Sequence, residues 1–201
     1  SEFSLAKILK NEPKETKVRI KFEIALQISR ILLTIENLST LQKHGHLSSH
    51  NIFVNLKKIA VGTFEIMVRV GDIENYDFME YGSLFYNYRY TSVWSAPEAL
   101  KNPKKIQEVN KKMDVYSFGM ILWEIWHESI PFDGEIDEAI QYVVNEESRP
   151  KIIASREDVE NLEDSSCLEQ SYTFCDPIIS SLIRKCWTMN PKDRPELFDI
   201  C

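Results

Sequence analysis

The sequence predicts a mainly α domain with one small β element, and three features support this class. Apolar residues recur at helical spacing from about Val18 to about Leu41, which predicts one long helix with a buried stripe. Two short stretches rich in β-branched residues follow, and they predict a pair of strands. The later stretch "DVYSFGMILWEIW", Asp114 to Trp126, is apolar nearly all round and predicts a buried helix.

The first part of the chain predicts two helices separated by a proline. "FSLAKILKN", from Phe3, predicts a short amphipathic helix that Pro13 stops. The long helix follows, and Gly45 breaks its pattern. Its stretch "RIKF", Arg19 to Phe22, also fits the short pattern by which proteins recruit protein phosphatase 1 as an added strand. Core packing is the favoured interpretation, because Ile20 lies on the apolar stripe.

The β element is followed by a long irregular segment. "NIFVN" and "FEIMVRVGD" predict two strands that pair across a loop. From Asp72 to Pro97 the chain is irregular and rich in aromatic residues. This segment is too long for an ordinary connection, so we expect a functional or mobile loop.

The second half of the chain predicts three helices and an acidic loop. Asp114 is the candidate N-cap of the buried helix, and Pro131 closes that region. Residues 135–145 and the stretch "PIISSLIRKCW" predict two further helices, and "NPKDRP" predicts a turn. Residues 155–176 are rich in acids, which favours a solvated surface loop over a partner site for a basic protein.

Composition excludes several classes of function. The formal net charge is -7 and no basic cluster is present, so we expect no nucleic-acid partner. The 4 cysteines form no CxxC pair, which favours reduced thiols in a cytoplasmic protein. The start of the chain does not resemble a signal peptide. The longest apolar stretch contains Glu124 and is too short to span a bilayer, so we expect no membrane span.

Several stretches, taken in order, resemble the motifs of a protein kinase. "HGHLSSHN" is similar to the HRDLxxxN catalytic loop, "VRVGDIE" to the strand and DFG motif, and "YTSVWSAPEAL" to the end of an activation segment. "DVYSFGMILWEIW", "IPF" and "CWTMNPKDRP" are typical of the buried and closing helices. Residues 1–201 therefore resemble the C-terminal lobe of a kinase of the tyrosine-kinase-like branch. We find no Gly-rich loop and no strand lysine of the N-lobe in this chain.

The resemblance divides the chain into functional segments and implies a lost catalytic base. It places the catalytic-loop equivalent at 44–51, the activation-segment equivalent at 72–98 and an acidic insertion at 155–176. Kinases use the HRD Asp to receive the proton of the attacking hydroxyl, and His46 stands in its place. A neutral imidazole can accept a proton, but it is bulkier than a carboxylate and can become positively charged.

Two further replacements in the loop point the same way. Gly45 replaces the Arg that pairs with phosphate on the activation loop. Ser48 replaces a Lys that contacts the transferred phosphate, so charge stabilisation is lost. The resemblance therefore implies no working catalytic residue.

Asn51 and Asp72 match the two Mg²⁺ ligands of the family, and oxygen ligands suit that ion. Ile73 and Glu74 replace the Phe and Gly of DFG, and Glu74 removes the conformational freedom of glycine. Two interpretations stay open. Asn51 and Asp72 hold a Mg–nucleotide group, or they only form hydrogen bonds with neighbouring loops.

Other residues match structural positions of the family. Asp114 matches an Asp that accepts hydrogen bonds from the backbone of the catalytic loop, and Glu98 and Arg194 match a buried ion pair. His44, His46 and His50 also allow a zinc hypothesis, because imidazole is a common zinc ligand. Their spacing matches no established zinc motif, and the resemblance makes His44 a packing residue.

We predict a pseudokinase, a kinase-like domain that is inactive or strongly impaired and is not an enzyme. It would act as a protein-interaction scaffold or switch in intracellular signalling, with an active kinase or a phosphatase among its partners. Ser83, Tyr86 and Thr91 are candidate phosphorylation sites. No cofactor is expected, and ATP with Mg is the alternative. The rival functions are an active atypical Ser/Thr or Tyr kinase that uses Mg-ATP, and a nucleotide-binding regulator without phosphotransfer.

Overall fold

A computed structural model describes most of the chain as helices arranged around one hydrophobic core, with one two-stranded sheet. The described residues are 13–38, 43–60, 63–71, 73, 92–101, 111–155, 158 and 174–201. The helices are α1 (Lys14–Asn37), α2 (Pro97–Lys101), α3 (Lys112–His127), α4 (Ile136–Ile140), α5 (Pro177–Cys186) and α6 (Leu197–Ile200), and the strands are β1 (Ile52–Ala60) and β2 (Thr63–Val70). The predicted mainly α class with a small β-hairpin is confirmed.

Helix α1 follows directly after Pro13, whose carbonyl accepts a hydrogen bond from Lys17 N at 2.9 Å. Most of its predicted apolar stripe is buried, namely Ile20, Ile24, Ile28, Leu32 and Ile35, whereas Ile31 is half-buried and Leu38 is exposed. The helix ends at Asn37, because Leu38 has extended backbone angles. The prediction that it runs from about Val18 to about Leu41 is therefore wrong by about one turn at each end.

The two predicted strands form an antiparallel hairpin with Val54 opposite Val68. One face of the hairpin packs against α1, and its inward members are Ile52, Val54, Leu56, Ile66 and Val68. Gln27 of α1 fixes this contact, because its Nε2 donates to Ile66 O and its Oε1 accepts from Val68 N, both at 2.9 Å. The hairpin thereby fixes the positions of Asn51 and Gly71, which lie at its two open ends, relative to α1.

Helix α3 runs through the core, and nearly all of its residues are buried, as its all-round apolar pattern predicts. It packs against α5 at a close crossing, where a Cβ on Gly119 would lie 2.7 Å from the Cβ of Cys186. Only glycine allows the two helices to approach this closely. The prediction of a helix over 177–187 is confirmed by α5, which begins with Asp176 as its N-cap.

Two local predictions in this region need correction. Asp114 is not the N-cap of α3, because it is the third residue of the helix and its carboxylate faces another segment. Residues 136–145 are not one regular α-helix, because α4 continues into a π-helix over Gln141–Asn145. The bond from Glu146 N to Gln141 O, at 3.1 Å, closes this wider turn.

Some predictions fall outside the described part of the chain. They are the helix from Phe3, nearly all of the segment from Asp72 to Thr91, and most of the acidic insertion at 155–176. Among the helices that are described, none has the length and apolar character needed to cross a bilayer.

Candidate functional site

The catalytic-loop equivalent at 44–51 is held by the carboxylate of Asp114 in α3. Its Oδ2 accepts a hydrogen bond from His44 N at 2.6 Å, and its Oδ1 accepts one from Gly45 N at 2.8 Å. Burial raises the pKa of this carboxyl, while the two amide hydrogen bonds favour its ionised form. The backbone contact that the resemblance assigns to Asp114 is therefore present in the structure.

His44 connects the loop to the end of β2. Its side chain is fully buried, and its Nε2 lies 2.9 Å from Gly71 O. A carbonyl oxygen only accepts hydrogen bonds, so Nε2 carries the proton. The imidazole thus fixes the backbone immediately before Asp72, and Asp72 itself lies outside the described residues.

Gly45 has a backbone conformation that few other residues adopt. Its φ is 87°, in the left-handed region where a side chain with a Cβ is strained. Its amide is also one of the two that Asp114 binds. The glycine that replaces the kinase arginine is therefore matched to the backbone geometry of this loop.

The rest of the loop is closed by hydrogen bonds around Asn51. Its Nδ2 donates to His46 O at 3.2 Å, and its carbonyl accepts from Gly71 N at 2.8 Å. The backbone amide of Asn51 donates to the carbonyl of Ser48, and Ser48 is a buried residue. His46 is half-buried, and its ring centroid lies 4.8 Å from that of His44.

This arrangement bears on metal binding in two ways. The Asn51 amide nitrogen bonds His46, which leaves its Oδ1 as the atom suited to a cation. The zinc hypothesis finds no geometric support in the described part of the chain, where no three His, Cys, Asp or Glu side chains converge. His50 instead contacts Trp94 edge-on, with centroids 5.2 Å apart.

The structure brings Glu98 and Arg194 together. The guanidinium donates to both carboxylate oxygens, at 2.6 and 2.8 Å. Its remaining donors reach the carbonyls of Thr188, Met189 and Lys112. All five guanidinium N–H groups are thus used, and the contact joins α2 to the start of α3 and to the turn before α6.

One half-buried acid was not recognised as part of the site from sequence. Glu124 accepts a hydrogen bond from Trp94 Nε1 at 2.7 Å, and the side chain of Ser49 bonds it as well. Burial raises the pKa of Glu124, and these two hydrogen bonds act in the opposite direction. It joins the loop at 44–51 to the residues before α2. The available signal was an acid in the apolar stretch from Phe118 to Trp126.

The site predicted from sequence is described in part. Gly45, His46, Ser48 and Asn51 share one loop, which Asp114 holds against α3. The candidate phosphorylation sites Ser83, Tyr86 and Thr91 lie outside the described residues.

Comparison with known proteins identifies the family. The sequence profile described as "Protein tyrosine and serine/threonine kinase" matches residues 1–201. The chain is 28% identical to the serine/threonine/tyrosine-protein kinase HT1 of Arabidopsis thaliana over 197 residues, which are 95% of the chain and 41% of that protein. It is 31% identical to the probable serine/threonine-protein kinase roco8 of Dictyostelium discoideum, covering 98% of the chain and 10% of that protein.

A third relative carries a different description. The chain is 24% identical to the inactive tyrosine-protein kinase 7 of Mus musculus, over 96% of the chain and 15% of that protein. The chain spans less than half the length of each of these three relatives. The full-length profile match and the kinase-like loop geometry lead to one conclusion: this chain belongs to the protein tyrosine and serine/threonine kinase family.

Proposed function

We propose that this chain is the C-terminal lobe of a pseudokinase of the tyrosine-kinase-like branch, and that it acts in the cytoplasm as a protein-interaction scaffold or switch in signalling. Its partners would be other signalling proteins, including an active kinase or a phosphatase. Partner binding or phosphorylation in the activation-segment equivalent, 72–98, would change its state.

The observation that carries this proposal is the contrast within one loop. The backbone of 44–51 is held in place by Asp114, yet the position expected to bear the catalytic carboxylate is His46. An imidazole differs from a carboxylate in shape, and its protonated form is cationic and accepts no further proton. Gly45 and Ser48 also lack the positive charges that kinases use to bind phosphate groups.

A second candidate is an active but atypical kinase, and two observations favour it. Asn51 keeps an amide oxygen suited to Mg²⁺, with Asp72 as its expected partner, and two of the relatives described above are named as kinases. In that function Mg²⁺ would neutralise phosphate charge, and Asn51 would hold the ion. His46 would then have to receive the proton of the substrate hydroxyl.

A phosphotransfer assay on the full-length protein tests the proposal, using radiolabelled ATP with Mg²⁺ and a general protein substrate. We expect the parent protein to transfer phosphate far more slowly than the roughly 1–100 s⁻¹ of active kinases. His46→Asp should raise the rate, whereas the control His50→Asp, at an exposed position of the same loop, should not. An ordinary kinase rate in the parent that falls in His46→Ala would refute the proposal.

Thermal melting separates the third function, nucleotide binding without phosphotransfer. A ligand that binds only the folded state raises the melting temperature, and at a given concentration a tighter ligand raises it more. A rise with Mg-ATP that disappears in Asn51→Ala, without any phosphotransfer, would identify a nucleotide-binding regulator. No rise would favour a scaffold that works without nucleotide.

A further inference from the structure

Phe132, which is half-buried in the turn between α3 and α4, stacks on Tyr142 in the π-helix that follows α4. The rings of Phe132 and Tyr142 stack in parallel, with centroids 5.9 Å apart and planes inclined by 9°. One face of the Tyr142 ring lies against Phe132, and the residue is 42% exposed. Ile130, 45% exposed, belongs to the same turn, since its carbonyl accepts from Asp133 N at 3.2 Å. We call Ile130, Phe132 and Tyr142 the aromatic surface.

The backbone presents this surface in a fixed way. Phe132 and Asp133 both have positive φ, and the π-turn over Gln141–Asn145 follows α4. Hydrogen bonds from Glu135 N to Phe132 O and from Ser148 N to Tyr142 O, at 2.8 and 2.7 Å, tie both aromatic residues to their neighbours. An exposed apolar patch on a constrained backbone is typical of an interaction site rather than of a loose loop.

The stretch of sequence that carries the aromatic surface is acidic. Residues 128–148 contain no Lys, Arg or His. They contain six exposed acids besides Glu128, namely Asp133, Glu135, Asp137, Glu138, Glu146 and Glu147. None of the six forms a salt bridge within the part of the chain that the structure describes. Arg149, which follows this stretch, interacts electrostatically with Glu147, and its half-buried guanidinium lies over the ring of Tyr116.

We propose that the aromatic surface binds a basic peptide segment of a partner protein, with an arginine guanidinium placed on the solvent side of Tyr142. A guanidinium stacks on an aromatic ring face, is weakly hydrated and pairs with carboxylates, so it satisfies both parts of the surface. A compact lysine ammonium fits the ring less well. An acidic segment, or a second copy of this net-negative chain, would meet like charge.

This inference names the partner chemistry for the proposed scaffold function, but it does not depend on the chemistry at His46. The aromatic surface lies outside the catalytic-loop equivalent, so an active kinase could use it as well. Peptide binding and phosphotransfer are separate measurements, and each can fail without the other.

Fluorescence anisotropy on the full chain tests the proposal. The probe is a fluorescein-labelled peptide of arginine, serine and one leucine, compared with matched peptides in which lysine or glutamate replaces arginine. We expect the arginine peptide to bind more tightly than the lysine peptide and the glutamate peptide not to bind. Added salt should weaken binding without abolishing the preference for arginine.

Variants locate the binding. Tyr142→Ser should weaken arginine-peptide binding by about fivefold, whereas Tyr142→Phe, which keeps the ring, should not. The double variant Glu135→Lys with Glu138→Lys should weaken it further. Two controls should bind normally: Ile178→Ser, at an apolar position that is 74% exposed on α5, and Glu65→Lys on β2. Melting curves check that each variant folds.

Three results would overturn the proposal. The first is no binding of the arginine peptide, and the second is equal binding of the arginine and lysine peptides that Tyr142→Ser leaves unchanged. The third is equal binding of a neutral leucine peptide, which would show an apolar docking site without charge recognition.

Discussion

The guanidinium of Arg194 and the carboxylate of Glu98 form a two-point ion pair, with N–O distances of 2.6 and 2.8 Å, in which the Arg194 side chain is fully buried. The two residues are 96 positions apart in the sequence. The pair therefore links α2 to the turn before α6. Three further hydrogen bonds from the guanidinium to backbone carbonyls make the contact specific for arginine.

Replacement of Arg194 by lysine should destabilise the fold strongly. An ammonium cannot reach two carboxylate oxygens and three carbonyls together, so several buried acceptors lose their donors. We expect a loss of about 3 kcal/mol in the free energy of unfolding, measured by urea denaturation. Arg184→Lys, at an exposed position of α5, is the matched control and should change stability little. Equal effects of the two substitutions would contradict the structural role of the pair.

The left-handed backbone at Gly45 predicts that two substitutions of similar size, Gly45→Val and Gly45→Asn, differ in their effect on stability. Asparagine tolerates a positive φ, whereas valine, with a branched Cβ, is a strong outlier there. Gly45→Val should therefore lower the free energy of unfolding by about 1–2 kcal/mol more than Gly45→Asn. Chemical denaturation of both variants measures the difference. A smaller loss for valine would show that the loop does not hold the φ of 87°.

At the crossing of α3 and α5, Gly119→Ala should destabilise the protein. Alanine normally favours a helix over glycine by about 1 kcal/mol, so the sign depends on the space available. A new Cβ would lie 2.7 Å from Cys186 Cβ, and neither atom can rotate away. The helices would have to move apart, and we expect this to lower the free energy of unfolding by about 1–3 kcal/mol more than the higher helix propensity of alanine raises it. Thermal unfolding measures the net change. An increase in melting temperature would exclude this close packing.

His127 should make stability fall as the pH falls. Its Nδ1 lies 2.9 Å from Trp123 O and its Nε2 accepts from Ile153 N at 2.9 Å, an arrangement that requires the neutral ring. Burial lowers the pKa of His127, the nearby Lys21 acts in the same direction, and the carbonyl of Trp123 opposes them. The unfolded chain therefore binds a proton more readily than the folded one, so stability is lost as the pH drops below the unfolded value of about 6.5.

The His127→Gln variant isolates this effect. Between about pH 7 and 5, its free energy of unfolding should decline less steeply than that of the parent, as measured by denaturation at each pH. Identical slopes for the two proteins would show that His127 is not held neutral.

Sequence periodicity predicted the parts of the fold that depend on local pattern. The stripe from Ile20 to Ile35 is buried in α1, and the β-branched stretches pair as strands. The end of α1 was predicted less well, because no glycine or proline follows Asn37 closely enough to mark the stop. The π-turn after α4 was missed for a similar reason, since its residues have ordinary helix-forming periodicity.

Contacts in the site between residues far apart in the sequence were predictable only where the family resemblance named both residues. Resemblance named Glu98 and Arg194, and the structure places them in contact. Local capping rules assigned Asp114 to the start of its own helix, although its partners lie 69 and 70 residues earlier. The stacking of Phe132 on Tyr142 left no local signal, because it depends on how two turns meet in space.

The distance along the chain between Asp114 and the amides of His44 and Gly45 has a consequence for biosynthesis. The ribosome synthesises residues 44–51 well before Asp114. The amides of His44 and Gly45 therefore have no carboxylate acceptor until Asp114 has been added. A nascent chain or proteolytic fragment that stops before residue 114 would leave both amides without that carboxylate, and closing so large a ring is slow. Native geometry at 44–51 therefore forms only after residue 114 has been synthesised.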